Sequence, residues 1–166
     1  MLTRDATRTL VQALVLSRLD YCSSLLFNIS SELSSKLQMV QNNAARLVTR
    51  TRKRDHITPT LRDLHWLPIR ARIEFKILTV VYKCYRQLAP KYLEELLVPY
   101  APKRALRSAD KNLLVTPRFQ SSSFGGRAFS SAAALAWNSL GQGLRQEDTL
   151  NKFRKALKTE LFRKHF

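Results

Sequence analysis

Residues 49–77 read TRTRKRDHITPTLRDLHWLPIRARIEFKI, and they set the architecture because they join two strongly amphipathic segments through a corner dense in cations. Proline fixes its own φ and pushes the preceding residue out of the helical region, so Thr58-Pro59 and Leu67-Pro68 each mark a boundary and the chain is expected to turn twice. Arg50, Arg52, Lys53 and Arg54 form a basic knot at the start of the corner. Cations held on a fixed corner suit a regular array of phosphates better than cations on a loose tail. The competing reading is a solvated surface loop.

Upstream, Val11, Leu14, Val15, Leu19, Cys22, Leu25 and Leu26 recur at helical spacing over residues 7–27 and form one wide apolar face. Ser30 or Ser31 is placed to cap a second helix with Glu32 in its first turn, and Leu33, Leu37, Val40, Ala44 and Leu47 then repeat like a short heptad seam. The two helices are expected to pair as an antiparallel hairpin. Arg46 and Arg50 fall at the C-terminal end of the second, where cations suit the helix dipole, an explanation that does not reach Arg52 to Arg54.

Downstream of the corner a helix over residues 68–88 carries Ile73, Ile77, Val80, Val81, Cys84 and Leu88 on one side. At 100° per residue, Arg72, Lys76, Lys83 and Arg86 lie within about 40° of a single line on the other. The stripe itself holds no acid, Glu74 standing to one side, whereas a plain solvated face more often mixes signs. Ala89-Pro90 restarts a short helix through Leu93, Leu96 and Leu97. Pro99, Pro102, Pro117, the serine run 121–123 and Gly125-Gly126 then mark an irregular linker in which Leu113, Leu114 and Val115 can dock as a lone strand. Residues 127–140 are helical again through Phe129, Ala133, Ala136, Trp137 and Leu140, stopped by Gly141 and Gly143. A last helix, capped near Asp148 or Thr149, has Leu150, Phe153, Leu157 and Leu161 inside and Lys152, Lys155, Lys158, Arg163 and Lys164 outside. The expected fold is all-α: a helical hairpin (1–53), a central segment with the basic corner (54–98), the linker (99–125) and a carboxy-terminal helical pair (126–166).

The chain of 166 residues is 45% hydrophobic, enough to bury a core, yet its 29 Lys and Arg against 12 Asp and Glu leave a net charge of +17. Such an excess on a folded chain points to a polyanionic partner, most often nucleic acid, with a membrane surface the weaker alternative. No apolar run reaches the roughly 18 to 20 residues that span a bilayer, and Arg4, Asp5 and Arg8 do not fit a signal peptide, so an intracellular protein, nuclear or cytoplasmic, is expected. Cys22 and Cys84 both occupy apolar helical positions and read as reduced core thiols. Four glycines are too few for a β-rich or dinucleotide-binding chain.

Catalytic tools are scarce. His56, His65 and His165 share no CxxC or HxxxH spacing with the cysteines, so neither zinc nor another cofactor is expected. Asp5, Asp20, Asp55, Asp63, Glu74, Glu94 and Glu95 are scattered among more numerous cations and read as charge partners or caps. Gly125-Gly126 lacks the Lys and Ser/Thr of a phosphate loop. Among the aromatics only Trp66, standing in the basic corner, is a candidate to stack on a base, against the commoner fate of a core residue.

Five blocks, ALVLSRLDYCSSLL (13–26), LQMVQNNAARLVT (37–49), RDHITPTLRDLHWLPIRARIEFKIL (54–78), LRSADKNLLVTPR (106–118) and GRAFSSAAALAWNSL (126–140), resemble the carboxy-terminal part of reverse transcriptases from non-LTR, LINE-type retrotransposons of the jockey-like and chicken-repeat kind. DHITP followed by LHWLP is the most specific of these signatures. The resemblance implies a polymerase thumb over about residues 10–49 and a tail domain after it, which grips template RNA and the primed DNA target during target-primed reverse transcription. It also implies that the palm, with its metal-binding aspartates, lies outside this chain, so that the chain binds without a catalytic centre of its own. Two features depart from the pattern: within the stretch AAALAWNSLGQG relatives commonly carry a proline on either side of the Leu-Trp-like core, and some end in a Cys/His knuckle, neither of which is here. The candidate nucleic-acid-binding set is Arg50, Arg52, Lys53, Arg54, His56, Trp66, Arg70, Arg72, Lys76 and Lys83. Expected partners are RNA, DNA and the rest of the reverse transcriptase, with no membrane and no small-molecule substrate. The rival is a stand-alone helical adaptor that binds a protein through apolar grooves.

Overall fold

The computed structural model describes residues 2–102, 104, 111–118 and 125–166. The described residues are mostly helical, with one isolated antiparallel bridge between Pro99 and Leu114, so the all-α class stands. Three helices dominate: α3 (Ser31–Thr49), α5 (Ile69–Tyr85) and α9 (Leu150–His165). Capping residues start two of them, since Ser30 Oγ accepts from the Leu33 amide at 3.3 Å and Thr149 Oγ1 from the Lys152 amide at 3.3 Å.

The amino-terminal helix is shorter than its periodicity suggests. α1 (Arg4–Val11) passes through a π turn at Gln12–Leu16 into α2 (Ser17–Asp20), after which Cys22 adopts a left-handed conformation at φ 48° and Ser23–Leu26 form a 3₁₀ turn. A π turn inserts an extra residue and rotates the face that follows. Leu14 is therefore 67% exposed while Leu16, outside the expected stripe, is buried. Cys22 is exposed too and is not the core thiol expected, whereas Cys84 is buried, and burial pushes its pKa up.

α1 and α3 do pair antiparallel: Leu2, before α1, lies against Arg50, after α3, whose guanidinium donates to the Leu2 carbonyl at 3.4 Å. Only part of the heptad seam of α3 is inside: Ala44 is buried and Leu37 packs on the larger core, but Leu33, Val40 and Leu47 are exposed, and the helix buries Ser34, Gln41, Ala45 and Val48 in their place. Small residues on that face let α1 and α4 (Ile57–Asp63) approach closely, where leucines would hold them off. The fully buried Gln41 donates Nε2 to the Leu67 carbonyl at 2.9 Å, and Gln38 Oε1 accepts from the Ile69 amide at 2.8 Å. Pro68 gives α5 no side-chain cap, so α3 supplies it from 31 residues away.

The corner turns twice, but not at both expected residues. α4 begins after His56 and takes Pro59 into its first turn, where the missing N–H has no intrahelical partner to lose. It ends with His65 left-handed at φ 53°, the Trp66 amide reaching back to the Leu61 carbonyl at 2.9 Å and the His65 amide to Arg62 at 2.9 Å. This is a Schellman stop with histidine where glycine is usual.

α5 is the central element. Ile73, Ile77, Leu78 and Val81 pack with Ala133, Ala136 and Trp137 of α7 (Phe129–Asn138) and with Phe153, Leu157 and Leu161 of α9. Tyr82 stacks on Phe153 with ring centroids 4.4 Å apart. A smaller core holds Val11, Leu16, Ala44, Ala45, Val48, Leu61, Leu64 and Trp66. The expected strand at Leu113–Leu114–Val115 is reduced to the bridge with Pro99, and Asn138 holds it, accepting from the Leu114 amide at 2.9 Å and donating to its carbonyl at 2.8 Å. Arg145, buried in α8 (Gln142–Arg145), donates to the Asn138 and Leu140 carbonyls and so closes α7; Gly141 and Gly143 do not act through a left-handed turn. Residues 106–110 and the serine run 121–123 lie outside the described residues.

Candidate nucleic-acid interface

Because α2 stops at Asp20, that carboxylate stands at the helix end, within reach of α5. Arg72 grips it with two hydrogen bonds of 2.7 Å each, and Lys76 Nζ lies 3.4 Å from Oδ1 and donates to the Asp20 carbonyl at 2.9 Å. The basic stripe of α5 is thus partly neutralised, by an acid 52 residues away that no local pattern reveals. Partial burial by itself would raise the Asp20 pKa, but the hydrogen bonds and charge of Arg72, with the charge of Lys76, outweigh it and hold the group below its ordinary value of 3.8.

Around this ion pair two adjoining clefts of about 520 Å³ each form one groove. Arg8 of α1, His65 after α4, Arg72 and Lys76 of α5, and Arg154 and Lys158 of α9 line it; among its described lining residues Asp20 is the single acid. Arg154 lies over the ring of Phe75, a lining residue, at 5.9 Å, and outside the lining Phe162 lies under Lys158 at 5.7 Å and meets His65 edge-on at 6.4 Å. Sequence reasoning missed Arg8, His65 and Arg154. Lys158 belongs to the outer face of the last helix, which reads as a separate basic surface until α9 is seen to pack on α5.

The expected set divides. Arg52, Lys53, Arg54 and His56 are exposed on a turn that is built, not loose: Asp55 Oδ2 accepts from the Arg52 amide at 3.1 Å, and Arg46 donates to the Arg52 and Asp55 carbonyls at 3.3 and 2.9 Å. This knot and His65 sit at opposite ends of α4, a helix about 10 Å long at 1.5 Å per residue. Arg70 donates to Ser34 Oγ at 3.0 Å and lines a different cleft. Lys83 lies two turns beyond Lys76 on α5, outside the groove. Trp66 requires correction: it borders the groove, but at 4% exposure it is packed in the smaller core with Leu61, Leu64 and Val48 and is not the stacking platform expected.

The Asp20 contact makes a double prediction for Asp20→Asn. A carboxylate whose folded pKa is depressed adds stability above its unfolded pKa, which is lost as pH falls through the lower folded value. Melting temperatures followed from pH 6 down to 2.5 should fall less steeply below about pH 4 in the variant than in the parent. The same change releases Arg72 and Lys76, so polyanion binding should tighten and its log K against log salt slope should steepen by about one. Weaker binding by the variant would show that Arg72 and Lys76 do not face the ligand.

Among the described residues no group of three His, Cys, Asp or Glu is placed to hold a metal, and no helix is long and apolar enough to cross a membrane. No protein-family model, no curated protein and no solved structure matches the chain.

Proposed function

We propose that the chain is a nucleic-acid-binding module without a catalytic centre of its own, acting, as its resemblance to non-LTR reverse transcriptases implies, on template RNA and target DNA. One observation carries this reading: cations from three separate helices of a strongly basic chain, joined by His65, converge on a groove with one acid in its described lining.

The test is a salt titration of fluorescence anisotropy with labelled RNA and DNA of unrelated sequence. Arg154→Ala with Lys158→Ala, both exposed, should weaken binding to all sequences alike and reduce the slope by up to about two, with the melting temperature nearly unchanged. Neutralising Arg52, Lys53 and Arg54 together measures the knot in the same way, by up to about three. If neither variant alters affinity or slope, the polyanion reading fails.

One observation favours the adaptor reading. Leu33, Val40 and Leu47 form an exposed line of seven-residue spacing along α3, the pattern that accepts a partner helix. Binding through that line would barely respond to salt, so the same titration separates the two.

A further inference from the structure

On the other side of α5 from the groove, Arg70, Ile73 and Glu74 border a cleft of about 590 Å³, a size typical of small-ligand sites. α7 contributes Leu135, the 3₁₀ turn Leu26, and the end of α9 Lys164 and His165. The His165 ring lines the cleft, its Nε2 buried and without a hydrogen-bond partner among the described residues, so the imidazole is close enough to report on an occupant. Burial pushes the His165 pKa down, with Glu74 opposing and Lys164 reinforcing the shift, so the ring is neutral at pH 7. Glu74 itself has only loose contacts, at 3.4 and 3.5 Å, to Lys164 Nζ.

This lining selects a chemistry. The apolar wall of Leu26, Ile73 and Leu135 suits a flat hydrophobic body. Arg70 and Lys164 together exceed the charge of Glu74, which favours an anion. A simple acceptor-only anion, such as a fatty acid carboxylate, would leave Glu74 facing like charge, whereas a nucleobase edge presents both donors and acceptors. We propose that this cleft is a second site, for a single nucleotide, with the base on the apolar wall beside the His165 ring, Glu74 reading its edge, and Arg70 and Lys164 holding its phosphate. The nucleotide comes either free or as one unstacked residue of a strand. The site stands independently of the groove, and either can fail alone.

The experiment is an NMR titration of the full chain that follows the His165 imidazole signal, assigned with His165→Gln. 5′-AMP should shift it saturably, and ribose 5-phosphate should bind at least about tenfold more weakly, since it lacks the base contacts. A shift with a short oligonucleotide and not with AMP supports the site with a strand as the source. Leu135→Trp, at a position 41% exposed, should fill the cleft and abolish the shift without lowering the melting temperature. Arg154→Ala with Lys158→Ala should leave the shift intact, which keeps this result apart from the groove. Equal shifts from inorganic phosphate and AMP, or none from AMP and the oligonucleotide, would overturn the proposal.

Discussion

Trp66→Ala is expected to lower the stability of the chain by about 3–5 kcal/mol, because it removes the largest side chain of the smaller core and leaves a void among Leu61, Leu64, Ala44, Ala45 and Val48. For a domain of this size that corresponds to a fall in melting temperature of roughly 10 °C or more. Calorimetry or a thermal melt followed by circular dichroism reads it directly. At a temperature where both proteins are folded, single-strand affinity and salt slope should match the parent, since the indole face is covered. A base-stacking residue would show the converse, with about 1–3 kcal/mol lost from single-strand binding and little from stability. That result would place the ring at the surface.

Gln41→Leu is expected to cost about 1–3 kcal/mol, although the replacement is apolar and of similar size, because the Leu67 carbonyl would be left buried without its donor. Gln38 would also lose one of its two acceptors, the Gln41 Oε1 at 3.0 Å, and keep Asn42 Oδ1 at 2.8 Å. Gln38→Leu removes the cap on the Ile69 amide, so the two losses act on one junction and should not add. Denaturant unfolding of the single and double variants measures the coupling; additivity within about 0.5 kcal/mol would mean that the glutamines act separately. A stable Gln41→Leu protein would mean that α5 is positioned by its apolar face alone.

Much of the helical skeleton was legible from residue order. Ser30 and Thr149 cap where a hydroxyl precedes an apolar repeat, and Pro68 sets the start of α5, because capping and proline geometry are properties of a few adjacent residues. The inner face of α9 is also as its period implies, Phe153, Leu157 and Leu161 being buried. The sequence by itself determined the all-α class, the central position of α5 and the excess of cations.

Only the tertiary structure decided which faces those helices bury and which cations meet. The apolar period of α3 marks Leu33, Val40 and Leu47 along with Ala44, yet close packing against α1, α4 and α5 runs over Ser34, Gln41, Ala44 and Ala45, so the helix turns its small residues inward. The end of α2 is likewise invisible in a repeat that runs on through the 3₁₀ turn. From that end follows the pairing of Asp20 with Arg72 and Lys76, and from the packing of α9 on α5 follows the union of two basic surfaces in one groove. Ion pairs and shared clefts join residues distant in the chain through the fold, and local spacing carries no record of such distances.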